Sequence, residues 1–313
     1  MYDLTDIQVR LNEINLVQQF LTNRKSEIEG QIAEFEKASN RFLEKSNVTK
    51  ADQRLVAFFT TLGYVVLSAN GSADNSASGE KKDWRATVSR TIAKNPSTLL
   101  PAMQNLYDGL HQSGPVEWPI ADAQEKNMVR NLLGELKKAA ILESCDVTDS
   151  GCSACFVSGL QSRAKRVPTD VREKRLWIRS GWAEKVFLYL VEKTFREFSN
   201  KRKLSVDFFW NVSVSNTPPY DTPSTEFDIL ACLNGKWYVF ESKAGWNLSI
   251  VKWVDRWHLF GEDKDDRKAT IIQCAIQDFP EKTFDPLHLF SIKSFERQLR
   301  SLLEKDFPAP TAE

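Results

Sequence analysis

Glu226-Phe227-Asp228-Ile229-Leu230-Ala231-Cys232-Leu233-Asn234-Gly235-Lys236-Trp237-Tyr238-Val239-Phe240-Glu241-Ser242-Lys243 is the stretch on which the fold turns. Two apolar runs flank Asn234-Gly235, a dipeptide that suits the two-residue turn of a β-hairpin. The reading is a pair of buried antiparallel strands, 226–233 and 236–243. Against that background the charged residues stand out. Asp228 interrupts the first run, and Glu241 and Lys243, two apart, project from one face at the end of the second. Ionised groups in such a setting are costly unless they are paired or bound to a cation. A hairpin can bring Asp228 beside Glu241, making a two-carboxylate oxygen site suited to Mg²⁺ or Mn²⁺. Lys243 can orient, or help deprotonate, a water for attack on a phosphodiester. The plainer alternative is a structural ion pair of Lys243 with Asp228 or Glu241 in a non-catalytic domain.

Working outward, Val206 to Val214 reads as a strand rich in aromatic and β-branched residues. Before it, Gly181 to Phe198 reads as an amphipathic helix with Glu184 close to its start. Downstream, the pattern predicts strands over Ala269–Ile276 and Leu287–Ile292 and a helix over Phe295–Lys305. Trp246, Ile250, Trp253, Val254 and Trp257 recur at helical spacing and read as packing against the sheet, with Gly261 ending that helix. His258 reads as packing or surface, and Lys264 to Lys268 as a solvated charged loop.

A helix with Glu, a strand with Asp and a following strand ending Glu-x-Lys resembles the PD-(D/E)xK, or restriction-endonuclease-like, nuclease superfamily. Glu184, Asp228 and Glu241-Ser242-Lys243 occur here in that order. The wording of Ser180-Gly-Trp-Ala-Glu184, Glu226-Phe-Asp-Ile-Leu230 and Phe240-Glu-Ser-Lys-Ala-Gly245 is similar to the nuclease domains of CRISPR ancillary effectors that join a CARF sensor to this fold. The resemblance implies a metal held by Asp228 and Glu241, with Ser242 and Glu184 in the ligand set. It also implies a water-positioning Lys243 and an accessory acidic role for Glu184. It does not extend to the N-terminal half, where no succession of strands and helices would build a CARF sensor.

Arg163, Lys165, Arg166, Arg172, Lys174, Arg175 and Arg179 stand against only Asp170 and Glu173, a net +5 in a chain whose 42 basic and 42 acidic residues otherwise balance. The segment leads into the Glu184 helix, so it is the candidate surface for tracking phosphates. The overall balance excludes a general polyanion binder.

The N-terminal half is mainly helical. Ile7, Ile14, Leu21, Ile28, Phe35 and Phe42 repeat every seven residues, with Leu4, Leu11 and Ile32 in the companion row and Gln18, Lys25 and Ser39 weakening it. This predicts one long coiled-coil-like helix over 6–46 that pairs with itself or with a partner subunit. Thr49 and Asp52 offer a capping-box start for a helix ended by Gly63, and Tyr64–Ser68 reads as a short strand. Residues 69–79 are small and polar, a loop without the Gly-Lys-Ser/Thr of a phosphate cradle. From Trp84 to Leu142 the pattern is helical, broken at Pro96, Pro101 and Pro115, and its last helix before a polar hairpin is compatible with a winged-helix module.

Cys145, Cys152 and Cys155 cluster without the fourth ligand that a closed zinc site needs, so they read as reduced thiols. No secretory leader is read at Met1–Asp6 and no apolar run is long enough to span a bilayer, so the expected setting is the cytoplasm, away from membranes. The expected fold class is α/β. A restriction-endonuclease-like core (161–313) follows a middle segment (48–160) and the long helix (1–47). The expected function is a Mg²⁺- or Mn²⁺-dependent endonuclease acting on DNA or RNA, with prokaryotic defence implied by the resemblance. The alternative is a catalytically silent nuclease-fold subunit that binds nucleic acid or a partner protein.

Overall fold

The structure is a computed structural model that describes residues 4–44, 47–71, 84–120, 122–161, 168–243, 260, 268–276, 283–284 and 287–309. The fold is mixed α/β, with a long N-terminal helix and a mixed sheet in the C-terminal half. The chain divides into two compact units.

The first unit comprises Met1–Ala69 and Val212–Glu226. Helix α1, Leu4–Arg41, continues as a single 3-10 turn, Phe42–Glu44. Among its described side chains, only those of the last turns are covered. Ala38 packs with Val65 and Tyr220, and the Phe35 ring meets Tyr220 edge-on at 5.6 Å. Earlier in the helix the apolar rows lie open to solvent, with Ile14 53% and Phe20 67% exposed. Helix α2, Lys50–Thr61, starts on the expected capping box. The Thr49 side chain accepts from Asp52 N, while the Asp52 side chain accepts from the Thr49 N–H. Strand β1 follows at Val65–Asn70.

The second unit, Asn70–Asn211 with Phe227–Glu313, carries helices α3 (Trp84–Lys94), α4 (Pro96–Gly109) and α5 (Ala123–Lys138). Strands β2 (Val116–Trp118), β3 (Leu142–Val147) and β4 (Cys152–Phe156) form a small antiparallel sheet in the order β2-β4-β3. The sequence pattern reads 84–142 as helical with breaks at Pro96, Pro101 and Pro115, and β2, which follows the last of these, corrects it. Its pairing of Val116 with Ala154 is non-local and invisible to periodicity. Pro101 does not break α4 either, because the turn around it buries Leu99, Leu100, Ala102 and Met103.

Helix α6 (Thr169–Leu176) runs through a five-residue π turn, Trp177–Gly181, into α7 (Trp182–Arg202). Then come β5 (Val206–Ser215), β6 (Thr225–Leu233), β7 (Lys236–Lys243), β8 (Ala269–Ala275), β9 (Thr283–Phe284), β10 (Leu287–Ser291) and α8 (Phe295–Asp306). The large sheet has the order β1-β5-β6-β7-β8-β10-β9. Strand β6 is antiparallel to β7, whereas β7, β8 and β10 are mutually parallel. Trp237 to Ser242 are all buried, as expected of a strand covered on both faces. Phe195 of α7 meets Tyr238 and Phe240 edge-on at 5.2 and 5.9 Å, so α7 covers the face that carries these even-numbered residues. The Trp246–Trp257 stripe, His258 and the 264–267 loop lie outside the described residues, as does most of the 69–79 loop.

Candidate functional site

The site begins with the hairpin turn. Asn234 and Gly235 both take positive φ, 48° and 90°, the condition for a two-residue turn whose twist matches the strands. That turn sets the register from Leu233–Lys236 to Ile229–Phe240, and one step further lie Asp228 and Glu241. At that step the carboxylate replaces the ladder. Asp228 Oδ2 accepts the Ser242 backbone N–H at 2.7 Å and the Ser242 Oγ–H at 3.2 Å. The half-buried Asp228 is thereby locked onto the end of β7, and its Oδ1 makes no hydrogen bond among the described residues.

Glu241 is 4% exposed, and Ser242 beside it is also buried. A carboxylate removed from water this completely needs a compensating partner. Both acids lie within electrostatic reach of Cys274, which pairs with Ser242 across the parallel ladder. Burial first, then the negative charge of Asp228 and Glu241, hold the Cys274 thiol well above the ordinary thiol range. Lys243 ends the strand with its backbone in register with Ala275. Its side chain lies outside the described residues.

Glu184 is exposed on the first turn of α7. Alternation along β7 turns Glu241 away from the face that α7 covers. Among the described residues, no three His, Cys, Asp or Glu side chains converge as a cation site; Asp228 and Glu241 are the two acids that the hairpin register sets opposite each other, one step past Ile229–Phe240. Their hard oxygen donors fit Mg²⁺ or Mn²⁺ better than a soft metal.

One residue of this neighbourhood carried only a weak signal in the sequence. Gln273 of β8 pairs with Glu241 in the parallel register, is 1% exposed, and has no hydrogen-bond partner among the described residues for either its Oε1 or its Nε2. A buried amide group left unpaired costs about 1–3 kcal/mol. A glutamine inside Ala269-Thr-Ile-Ile-Gln-Cys-Ala275 is visible as an interruption, but only the register shows what it faces.

The basic segment divides. Arg163, Lys165 and Arg166 lie outside the described residues. Arg175 is structural, donating from Nε to the Leu160 carbonyl at 2.9 Å and from Nη2 to the Gly159 carbonyl at 2.6 Å. Lys174 stands 4.0 Å from Asp170 one turn earlier, while Arg172 and Arg179 are exposed. In the small sheet, Cys152 and Cys155 are three apart on one strand and so project from opposite faces, which keeps the C-x-x-C pair from chelating together. None of the five cysteines is joined in a disulfide.

By sequence, the chain matches no protein-family profile and no curated protein. Among solved structures it is similar to protein VC1899 from Vibrio cholerae, with 17% identity and a TM-score of 0.44 over 84% of this chain and 62% of that one. It is also similar to Can2 from Sulfobacillus thermosulfidooxidans, solved in complex with cyclic tetra-adenylate. There the identity is 16% and the TM-score 0.41, over 82% of this chain and 61% of that one. The chain thus spans about three fifths of the length of each. No helix among the described residues is long and apolar enough to cross a membrane.

Proposed function

We propose that the protein is a divalent-cation-dependent nuclease that hydrolyses phosphodiester bonds in DNA or RNA, in a prokaryotic defence setting. The observation that carries this reading is the union of Asp228 with the Glu241-Ser242 end of β7, closed by the 2.7 Å bond to the Ser242 N–H. Asp228 and Glu241 would hold Mg²⁺ or Mn²⁺, with Ser242 completing the ligand set. When bound, the cation supplies Lewis acidity toward the phosphoryl oxygen and stabilises the charge that develops on it. Lys243 is assigned the orientation of the attacking water, and in its neutral amine form it would take up the proton that the water releases. Glu184 takes the accessory acidic role, and Arg172 and Arg179 guide the phosphate backbone.

The test is cleavage of single- and double-stranded DNA and RNA by the full chain, with and without Mn²⁺. Glu241→Ala and Lys243→Ala should each lower turnover by at least about a hundredfold, the scale of losing a group that acts in the transition state. Undiminished turnover in both folded variants would remove the catalytic assignment.

A second reading is a catalytically silent nuclease-fold subunit. In it, the domain binds nucleic acid or a partner protein in a larger complex. Wild-type protein that binds nucleic acid but cleaves none of the four substrates would establish it.

A further inference from the structure

Gln273 is the unexplained polar group of this region. It sits in the middle of a hydrophobic strand between Ile272 and Cys274, both fully buried. Its neighbour across the parallel ladder is Glu241, and paired residues on adjacent strands project from the same face. Among the described residues, neither end of its carboxamide finds a hydrogen-bond partner. Leu or Met would fill such a position at no cost in desolvation, so the amide weakens the sheet unless something meets it. A buried carboxylate and a buried, unpartnered amide side by side make a receptor with one acidic ligand and one neutral donor–acceptor.

We infer that Gln273 is a positioning residue of the divalent-cation site, its carboxamide giving the outer tier of hydrogen bonds to a hydrated Mg²⁺ or Mn²⁺ held by Asp228 and Glu241. The inference rests on the reading under Proposed function. Groups in that outer tier fix the orientation of the ligands and their hydration, and losing one typically costs ten- to hundredfold in metal affinity, roughly. Here Gln273 would act on the hydration of the cation and does not touch the reacting atoms.

The experiment titrates Mn²⁺ alone into the full chain by calorimetry, for wild type, Gln273→Met and Glu241→Gln. Thermal unfolding of each metal-free protein runs alongside. Gln273→Met keeps the volume and removes the polar atoms. It should weaken Mn²⁺ binding by about ten- to hundredfold, while its metal-free unfolding midpoint stays at or above that of wild type. Unchanged Mn²⁺ affinity in a folded Gln273→Met variant, with Glu241→Gln impaired, overturns this inference alone. A wild type that takes up no Mn²⁺, or a Glu241→Gln that binds as well as wild type, overturns the cation site itself and the inference with it. Should Gln273→Met fail to fold, the wild type still decides. With ¹⁵N-glutamine labelling, the Gln273 side-chain amide signal, assigned by its loss in Gln273→Glu, should shift on adding Mg²⁺. A signal that does not move counts against the proposal.

Discussion

Three residues show how burial decides chemistry here. Burial pushes the Cys152 thiol up to about 11, with the charge of Glu125 adding to it. Cys274 is raised by burial and then by the acidic pair, and Tyr238 is raised by burial and by the 2.6 Å bond it donates to Asp306. All three stay protonated in the folded chain at a pH where unfolded thiols, which titrate near about 8.5, already ionise. The folded state therefore binds more protons than the unfolded state above that point, and stability falls as pH rises. The urea midpoint should decline between about pH 8.5 and 11, and Cys152→Ala should flatten part of the decline. A level profile would show that these groups reach water. In the same folded protein at pH 8, iodoacetamide should label the half-buried Cys145 and Cys155 before the buried Cys152, Cys232 and Cys274, a sequence readable by mass spectrometry.

At the scale of elements, the run from Thr169 to Gly181 does two jobs that composition could not separate. Arg175 ties α6 to the turn after β4 through the Gly159 and Leu160 carbonyls. Arg172 and Arg179 reach solvent instead. Arg175→Gln should therefore destabilise the fold by about 1.5–3 kcal/mol, the range for hydrogen bonds from a charged group. Neutralising Arg172 and Arg179 together should leave the urea midpoint in place and flatten the salt dependence of nucleic-acid binding. Each phosphate that goes unneutralised lowers the log–log slope by about 0.7–0.9. An unchanged slope in a fluorescence titration would return the pair to ordinary surface. The π turn at Trp177–Gly181 lets Trp177 bury itself, its ring 4.8 Å from that of Trp84 and edge-on to it. Sequence periodicity began the helix at Gly181, because a π turn shifts the phase of the apolar residues on either side.

For the whole molecule, the open question of assembly falls on α1. Its 38 residues span about 57 Å at 1.5 Å per residue. Ile14, Leu21, Ile28 and Ile32 lie exposed along most of that length, and cover begins only at Phe35. So long an uncovered apolar row favours association, and the heptad spacing suits a second copy of the chain or a partner helix. Gln18 and Lys25 in the companion row would then restrict register at some cost in stability. Ile14→Asp with Ile28→Asp should reduce the wild-type assembly to monomers in light scattering, without lowering the unfolding midpoint of the second unit. A wild-type monomer that captures no partner, or an oligomer unmoved by both changes, would refute the coil.

The hairpin around Asn234-Gly235 was legible from the sequence because its causes are local: a turn dipeptide with positive φ and two apolar runs of strand length. The capping box at Thr49 and Asp52, the strand and helix order after Val206, and the interruption at Asp228 and Glu241 were legible for the same reason. Contacts between residues far apart in the chain were not. No periodicity announces that Val116 meets Ala154, that Arg175 satisfies the carbonyls of Gly159 and Leu160, or that α1 is covered only from Phe35 onward. The same holds for Gln273. It interrupts an apolar strand without saying why, and only the parallel register of β7 and β8, set by the tertiary fold, places a buried amide with no partner among the described residues beside the buried carboxylate of Glu241.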